Sequence, residues 1–248
     1  MRHNSWRLWH LFGRNCRSLI ILGLAALLVF LLYRWSPWWR PRETETVDRP
    51  HKEKTIPKVH IELYMESRCP DTTDFIHHQL WPVWTELKQY LRLDMYPFGK
   101  AKCTKQGEDD FACTCQHLEK ECALNQLMAC LVDKYRDDPD RYLPIVRCLQ
   151  GKTMTVANSC LKTAERMPEA EQRQILSCAG DKRGRQLHAQ AGESTKALQP
   201  PLYYIPWIVI DGKREESALS SLKQLVCDRI KAHPKPEACN VAKKAEAN

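Results

Sequence analysis

The clearest hydrophobic run of the chain lies near its N-terminus. Residues 18–33 (SLIILGLAALLVFLLY) carry no charged side chain, and as a helix they would rise about 24 Å, close to the roughly 30 Å hydrocarbon core of a bilayer. Trp35, Trp38 and Trp39 follow as candidate interfacial anchors. The run predicts an uncleaved transmembrane signal anchor over residues 18–33. The alternative is a cleaved signal peptide, and residues 33–39 (YRWSPWW) offer it a poor cleavage site.

Beyond this run the pattern changes to that of a folded domain. Residues 34–57 are rich in Pro, Arg, Glu and Thr and show no apolar period, which predicts a linker. Residues 59–65 (VHIELYM) are typical of a strand, residues 71–91 place apolar side chains at mainly helical spacing, and residues 91–99 form a second strand-like run. Pro82 should kink the helix. The order β, turn, α, β is that of a thioredoxin-like α/β layer.

The second half of the chain is helical and rich in cysteine. Residues 101–197 contain eight of the twelve cysteines, and their apolar spacing predicts a disulfide-rich helical insertion. A β-rich run with an Asp-Gly turn (205–213) and an amphipathic helix (217–232) follow. We therefore predict one thioredoxin-like α/β domain over residues 58–232, preceded by one transmembrane helix, with 233–248 as a loose tail.

Charge and cysteine distribution set the topology. The formal charge is +8, but residues 1–42 hold seven Lys or Arg and no acidic residue, so the remainder is near neutral with 31 basic and 30 acidic residues. This balance excludes a nucleic-acid footprint. Eleven cysteines follow the apolar run, which indicates disulfides in an oxidising compartment. The pattern predicts a cytosolic basic N-terminus (1–17) and a lumenal or extracellular domain.

Three ordered segments carry a family resemblance. Residues 115–130 (CQHLEKECALNQLMAC) match a signature Cys-Gln-His-Gly, two residues, Glu-Cys, two residues, Asn, four residues, Cys, with Leu118 in place of the glycine. Residues 197–213 (ALQPPLYYIPWIVIDGK) and 178–189 (CAGDKRGRQLHA) match two further segments. Over about residues 58–230 the chain resembles the gamma-interferon-inducible lysosomal thiol reductases.

The resemblance implies a Cys-x-x-Cys active site, which here reads Cys69, Pro70, Asp71, Thr72. The attacking residue Cys69 is present, whereas Thr72 stands at the position of the resolving cysteine and has no comparable redox chemistry. The N-terminus of the following helix would stabilise a thiolate, Thr72 could donate a hydrogen bond to the sulfur, and Asp71 would act against the thiolate. The alternative is that Cys69 pairs with another cysteine.

The resemblance also implies a substrate-binding proline and a set of structural cysteines. Pro206 is expected to follow a cis peptide bond from Ile205, beside Cys69, where extended substrate binds. Family members also have cysteines at the positions of Cys115, Cys122, Cys130, Cys148, Cys160, Cys178 and Cys227, whereas Cys103, Cys113 and Cys239 are additional. All ten are structural disulfide candidates. Pairing of Cys103 with Cys113 is one expectation. A zinc site from Cys113, Cys115, His117 and Cys122 is the less favoured alternative in an oxidising lumen, so no metal is predicted.

The resulting functional hypothesis is a thiol oxidoreductase that acts on polypeptide disulfides through Cys69. No cofactor is expected other than an external low-molecular-weight thiol, and the partners would be disulfide-containing polypeptides and, through residues 18–33, a membrane. The expected location is that of a single-pass type II membrane protein of the secretory or endolysosomal system or cell surface. Two alternatives stay open: a catalytically weak or inactive member that binds extended or cysteine-containing polypeptides, and a secreted structural or effector protein.

Overall fold

A computed structural model describes residues 22–34, 56–163 and 167–240. The chain divides into two units, Met1–Lys54 and Thr55–Asn248. In the first unit, residues 22–34 form helix α1. The predicted cytosolic segment, the first residues of the predicted anchor and most of the predicted linker lie outside the described residues. None of the helices within the described ranges is long and apolar enough to cross a membrane.

The second unit contains six strands and nine α-helices in the described residues. The strands are β1 (Val59–Met65), β2 (Leu91–Pro97), β3 (Lys102–Gln106), β4 (Asp110–Thr114), β5 (Trp207–Ile210) and β6 (Lys213–Arg214). The helices are α2 (Pro70–Phe75), α3 (Trp81–Leu87), α4 (Leu118–Lys134), α5 (Pro139–Leu149), α6 (Ala157–Leu161), α7 (Glu169–Gly180), α8 (Lys182–Lys196), α9 (Ala218–Arg229) and α10 (Glu237–Asn240).

Strand β1 lies in the middle of the main sheet, whose order is β2-β1-β5-β6. It pairs parallel with β2, so that Leu63 faces Met95, and antiparallel with β5, so that Leu63 faces Ile208. A parallel partner needs a crossover connection, which the helical segment between β1 and β2 supplies. The predicted thioredoxin-like α/β fold with a disulfide-rich helical region is confirmed.

Alternate residues of β1 form the centre of the core. Val59, Ile61 and Leu63 are at most 3% exposed and pack in one cluster with Phe75 and Leu80 of the following helical segment. Alternation puts these β1 side chains on one face of the sheet, and burial of each large apolar side chain stabilises the fold by about 1.5–3 kcal/mol. This packing fixes the C-terminal end of β1, where the candidate site begins.

The expected irregularity at Pro82 takes the form of a π-helical turn. Residues Ile76–Leu80 form this turn between α2 and α3, and Pro82 lies in the first turn of α3. A proline ring clashes with the carbonyl group four residues earlier and offers no N–H. The wider π turn accommodates both effects, because it shifts the hydrogen-bond register immediately before the proline.

Two expectations about chain organisation need correction. The segment between Cys103 and Cys113 is a hairpin, β3–β4, in which the two cysteines are directly opposed, rather than an irregular loop in a helical insertion. The segment from residue 233 is not loose throughout, since Cys239 in α10 is 6% exposed and bonded to Cys227. The disulfide joins α10 to α9. Helix α10 has only four residues, too few for an apolar period that would predict it from sequence. Residues 241–248 lie outside the described residues.

Candidate active site

Cys69 lies where strand β1 leads into helix α2. It is the N-cap residue of α2, its backbone is extended (φ −70°, ψ 126°), and Pro70 stands at the start of the helix. Proline suits this position because the first helical N–H groups have no intrahelical acceptor. Cys69 is 8% exposed, and among the described cysteines it alone forms no disulfide. A free thiol therefore stands at the N-terminal end of this helix.

The sulfur of Cys69 contacts the segment that precedes β5. Its thiol donates to the carbonyl oxygen of Ile205 at a distance of 3.6 Å, and the Ile205–Pro206 peptide bond is cis. Ile205 is 4% exposed. Three residues that the sequence assigns to the site, Cys69, Ile205 and Pro206, are thus adjacent in the structure.

Thr72 occupies the core side of the same turn. It is fully buried, and its hydroxyl has no hydrogen-bond partner among the described residues. The hydrogen bond that Thr72 could donate to the sulfur of Cys69 is therefore not formed. The bond is absent because the thiol is oriented toward the Ile205 carbonyl oxygen, and the buried Thr72 hydroxyl has no hydrogen-bond partner in the described residues.

The contact between Asp71 and Tyr204 closes the turn from the other side. The Tyr204 hydroxyl donates to Asp71 Oδ2 at 2.5 Å. This hydrogen bond to a carboxylate raises the pKa of Tyr204 to about 12, and partial burial contributes a smaller part of the shift. This hydrogen bond joins the turn that carries Cys69 to the residue directly before Ile205. Tyr204 was not among the residues assigned to the site from sequence, although it lies directly before Ile205.

The backbone before Cys69 is held by the signature segment in α4. Asn125 Oδ1 accepts the backbone N–H of Ser67 at 2.9 Å, and the Glu121 carbonyl oxygen accepts the Ser67 hydroxyl at 3.2 Å. A second support comes from Gln150, whose side-chain amide donates to the Glu66 carbonyl oxygen at 2.8 Å. Asn125, Glu121 and Ser67 are fully buried, so these bonds are shielded from water and orient the turn that carries Cys69.

Comparison with known proteins assigns the family. The family model described as "Gamma interferon inducible lysosomal thiol reductase (GILT)" matches residues 60–164. The gamma-interferon-inducible lysosomal thiol reductase of Mus musculus is 32% identical over 185 residues, which cover 74% of this chain and 73% of that protein. The chain belongs to the GILT family.

A GILT-like protein of Caenorhabditis elegans is 41% identical over 204 residues. The match covers 81% of this chain and 60% of that relative, so the chain spans less than two thirds of its length. Among solved structures, DsbA of Chlamydia trachomatis matches with a TM-score of 0.45 at 13% identity, covering 70% of this chain and 93% of that one.

All ten candidate structural cysteines of this GILT-family chain are paired. The disulfides are Cys103–Cys113, Cys115–Cys122, Cys130–Cys178, Cys148–Cys160 and Cys227–Cys239. The less favoured zinc site from Cys113, Cys115, His117 and Cys122 is not formed, because all three sulfurs are bonded in disulfides. The pairs occupy the hairpin, the helices of the insertion and the C-terminal helices.

Leu118, the departure from the GILT signature, has the backbone of a glycine. Its φ is +63°, in the left-handed region that costs a side chain with a Cβ atom roughly 1–2 kcal/mol. The side chain is 75% exposed, so packing does not compensate for much of this cost. The signature glycine is thus explained by backbone conformation at the start of α4.

Leu118→Gly should stabilise the protein by roughly 0.5–1 kcal/mol, because relief of the left-handed strain exceeds the extra chain entropy of glycine. Leu118→Ala is the matched control, since it removes the same exposed side chain but keeps Cβ. Urea denaturation of both variants measures the difference. A glycine variant no more stable than the alanine variant would show that position 118 is not strained.

His188 is the buried partner of the Asn125 support. It is fully buried, and its Nε2 lies 3.5 Å from Asn125 Nδ2. Burial lowers the pKa of His188 to about 4, although an interaction with the Phe98 carbonyl oxygen opposes the shift. The folded protein therefore favours the neutral imidazole, whereas the unfolded chain binds a proton near pH 6.5.

The resulting stability should decrease as pH falls from about 6.5 toward 4, by about 3 kcal/mol in total. The sign follows because protonation is favoured in the unfolded chain. His188→Gln, which cannot be protonated, should flatten that part of the pH profile, and His78→Gln, at an exposed site, should leave it unchanged. Urea unfolding at a series of pH values is the measurement, and equal slopes for wild type and His188→Gln would refute the assignment.

Proposed function

We propose that this chain is a thiol–disulfide oxidoreductase that reduces disulfides in polypeptides through Cys69. One observation carries the proposal: Cys69 is the unpaired cysteine of the described residues, and its sulfur lies 3.6 Å from the Ile205 carbonyl oxygen, next to Pro206. The family's thiol reductases support the reaction class. Because Thr72 occupies the position of the resolving cysteine, the proposed mechanism uses Cys69 as its single protein thiol.

In the first step the Cys69 thiolate attacks one sulfur of a substrate disulfide. A new disulfide forms between Cys69 and the substrate, the substrate disulfide breaks, and the departing sulfur takes a proton. An external low-molecular-weight thiolate then attacks the mixed disulfide and releases the reduced substrate. A second such thiol displaces the first from Cys69, so that one substrate disulfide is reduced while two external thiols are oxidised to a disulfide.

The segment beside the sulfur supports binding of an extended polypeptide. Tyr203 is 60% exposed, and its ring is fixed edge-on to Trp207 at a centroid distance of 5.2 Å. Arg214 stacks over both rings. An exposed tyrosine three residues before Pro206 offers apolar contact area at a low cost in conformational entropy.

The test is reduction of a fluorogenic disulfide peptide by wild-type protein and Cys69→Ser. Wild type should turn over only when a monothiol such as cysteine is added, with no turnover by Cys69→Ser. Wild-type activity retained by Cys69→Ser would refute the proposal.

A second candidate is a catalytically weak family member that binds extended or cysteine-containing polypeptides. The buried Thr72 favours it, because no second sulfur of the turn is available to resolve an adduct. Under this alternative a peptide lacking cysteine should bind wild type and Cys69→Ser equally well, and wild type should form no covalent adduct. Fluorescence anisotropy with such a peptide measures the binding, and a disulfide-containing peptide analysed on a non-reducing gel separates the two functions, because only the reductase forms a covalent adduct at Cys69.

We further propose a type II topology in the secretory or endolysosomal system. The uncharged run 18–33 supports an anchor, and five disulfides in the following domain support an oxidising lumen. Protease added to intact microsomes should spare residues beyond about 58, and carbonate should leave the protein in the membrane fraction. Digestion of the domain without detergent would show that it faces the cytosol and would contradict the proposed topology.

A further inference from the structure

A cluster of two buried carboxylates and one partly exposed imidazole lies just before the active-site turn. Glu66 follows strand β1, whereas His117 and Glu121 lie at the start of α4. His117 Nδ1 is 2.6 Å from Glu121 Oε2 and 3.6 Å from Glu66 Oε1. One ligand-type atom from each residue lies within 4.8 Å of the other two. The cluster therefore brings together three side chains that can bind a metal.

The cluster carries more negative than positive charge. Glu66 is 2% exposed and Glu121 is fully buried, and in the described part of the chain neither carboxylate has a lysine or arginine side-chain nitrogen within 4.0 Å. The backbone N–H of Lys100 donates to Glu66 Oε2 at 3.4 Å. The pair His60–Asp94 differs, because Arg92 also contacts Asp94 at 2.8 Å. The positive charges that act on Glu66 are those of His117 and Lys100, and the second buried carboxylate, Glu121, acts against them. A bound cation would supply further compensating charge of the kind that buried anions require.

A second observation concerns one oxygen of Glu121. Its Oε2 accepts the backbone N–H of His117 and lies 2.6 Å from His117 Nδ1, from which a bound cation would displace any proton. Its Oε1 is buried and has no hydrogen-bond partner in the described residues. Buried carboxylate oxygens without a partner are rare, because each loses its hydration without replacement. This oxygen belongs to the same group of three side chains and is free to bind a cation.

We propose that Glu66, His117 and Glu121 form a binding site for a divalent cation of the zinc class. An imidazole nitrogen with carboxylate oxygens is a donor set that Zn²⁺ accepts, whereas Ca²⁺ and Mg²⁺ prefer oxygen alone. The 3.6 Å between His117 Nδ1 and Glu66 Oε1 is close to the roughly 3.3–3.5 Å that separates ligands of a tetrahedral zinc with bonds of about 2.0–2.1 Å.

The surroundings allow entry of the ion and give it a role. The side chain of His117 is 37% exposed, so the cluster reaches solvent, and water can supply the fourth ligand. Glu66 and Glu121 belong to the segments joined through Ser67. A bound cation would tie the end of β1 to α4 and brace the turn that carries Cys69. The sequence did not predict this site, because Glu66 is far from the signature segment along the chain.

Titration of the full chain with zinc chloride, disulfides intact, tests the proposal. We expect one tightly bound zinc ion per chain. Glu66→Gln and Glu121→Gln should each weaken zinc binding by about 100-fold or more, since even outer-shell partners of a metal are worth 10–100-fold in affinity. Glutamine at position 121 keeps a side-chain oxygen that can accept the backbone N–H of His117, so this substitution preserves that hydrogen bond while removing the carboxylate. His60→Asn and Cys69→Ser are controls that should bind zinc as wild type does.

X-ray absorption of zinc-loaded wild type gives a readout that does not depend on variant folding. Only nitrogen and oxygen neighbours, at about 2.0–2.2 Å, are expected. The proposal is overturned by a sulfur neighbour, by the absence of bound zinc, or by equal zinc affinity in wild type and both glutamine variants.

Discussion

Thr72→Cys should convert the persistent mixed disulfide at Cys69 into a short-lived intermediate and give turnover with dithiol kinetics. The threonine is fully buried, one turn from the sulfur, in the first turn of α2. A thiol placed there attacks within the same turn, and such intramolecular attack has a large advantage over an external thiol. The lifetime of the adduct should fall by at least about a thousandfold, measured by quenched-flow mass spectrometry.

Thr72→Ser is the matched control, because it changes the same buried side chain but adds no thiol. Its adduct should persist like that of wild type. An adduct lifetime that is equal in Thr72→Cys and Thr72→Ser would mean that the helix does not bring position 72 within reach of the mixed disulfide.

Removal of the Cys130–Cys178 disulfide by a double alanine substitution should cost about 4 kcal/mol. The bond joins α4 to α7 across a sequence separation of 48, and closing a loop of that length removes much conformational entropy from the unfolded chain. Because domains are stable by only about 5–15 kcal/mol, this variant should be near unfolding at 37 °C. Denaturation in urea, without reductant, measures the loss.

The Cys115–Cys122 pair is the internal reference, with a separation of only 7. Its double alanine variant should lose about 2 kcal/mol by the same relation. Both pairs are buried or half-buried, so the difference reports loop length. A larger loss for the short pair would contradict the entropic explanation.

Strands β1 and β2 and helix α4 could be predicted from sequence, because their apolar side chains repeat with the period of the element that buries them. The hairpin β3–β4 could not, since its side chains are mainly exposed and polar. Its pairing depends on the opposed residues Cys103 and Cys113, and cysteine spacing alone leaves many pairings open.

The candidate site was partly predictable for the same reason. Cys69 and Thr72 lie on one local turn, so a sequence motif describes them. The Tyr204–Asp71 bond joins residues 133 positions apart, and no local pattern encodes such a contact. Glu66 is a charged residue that sequence patterns assign to the surface, and only the folded chain brings it into the interior beside Glu121.

The central claim, attack by Cys69 without a resolving thiol, is tested most directly by peptide mapping of a trapped adduct. Wild-type protein is incubated with a disulfide-containing peptide, quenched with a thiol-alkylating reagent and analysed by mass spectrometry without reduction. The account predicts substrate peptide disulfide-bonded to Cys69, with the five native disulfides intact and loss of the adduct when cysteine is added. Alkylated, substrate-free Cys69 in every molecule would contradict it.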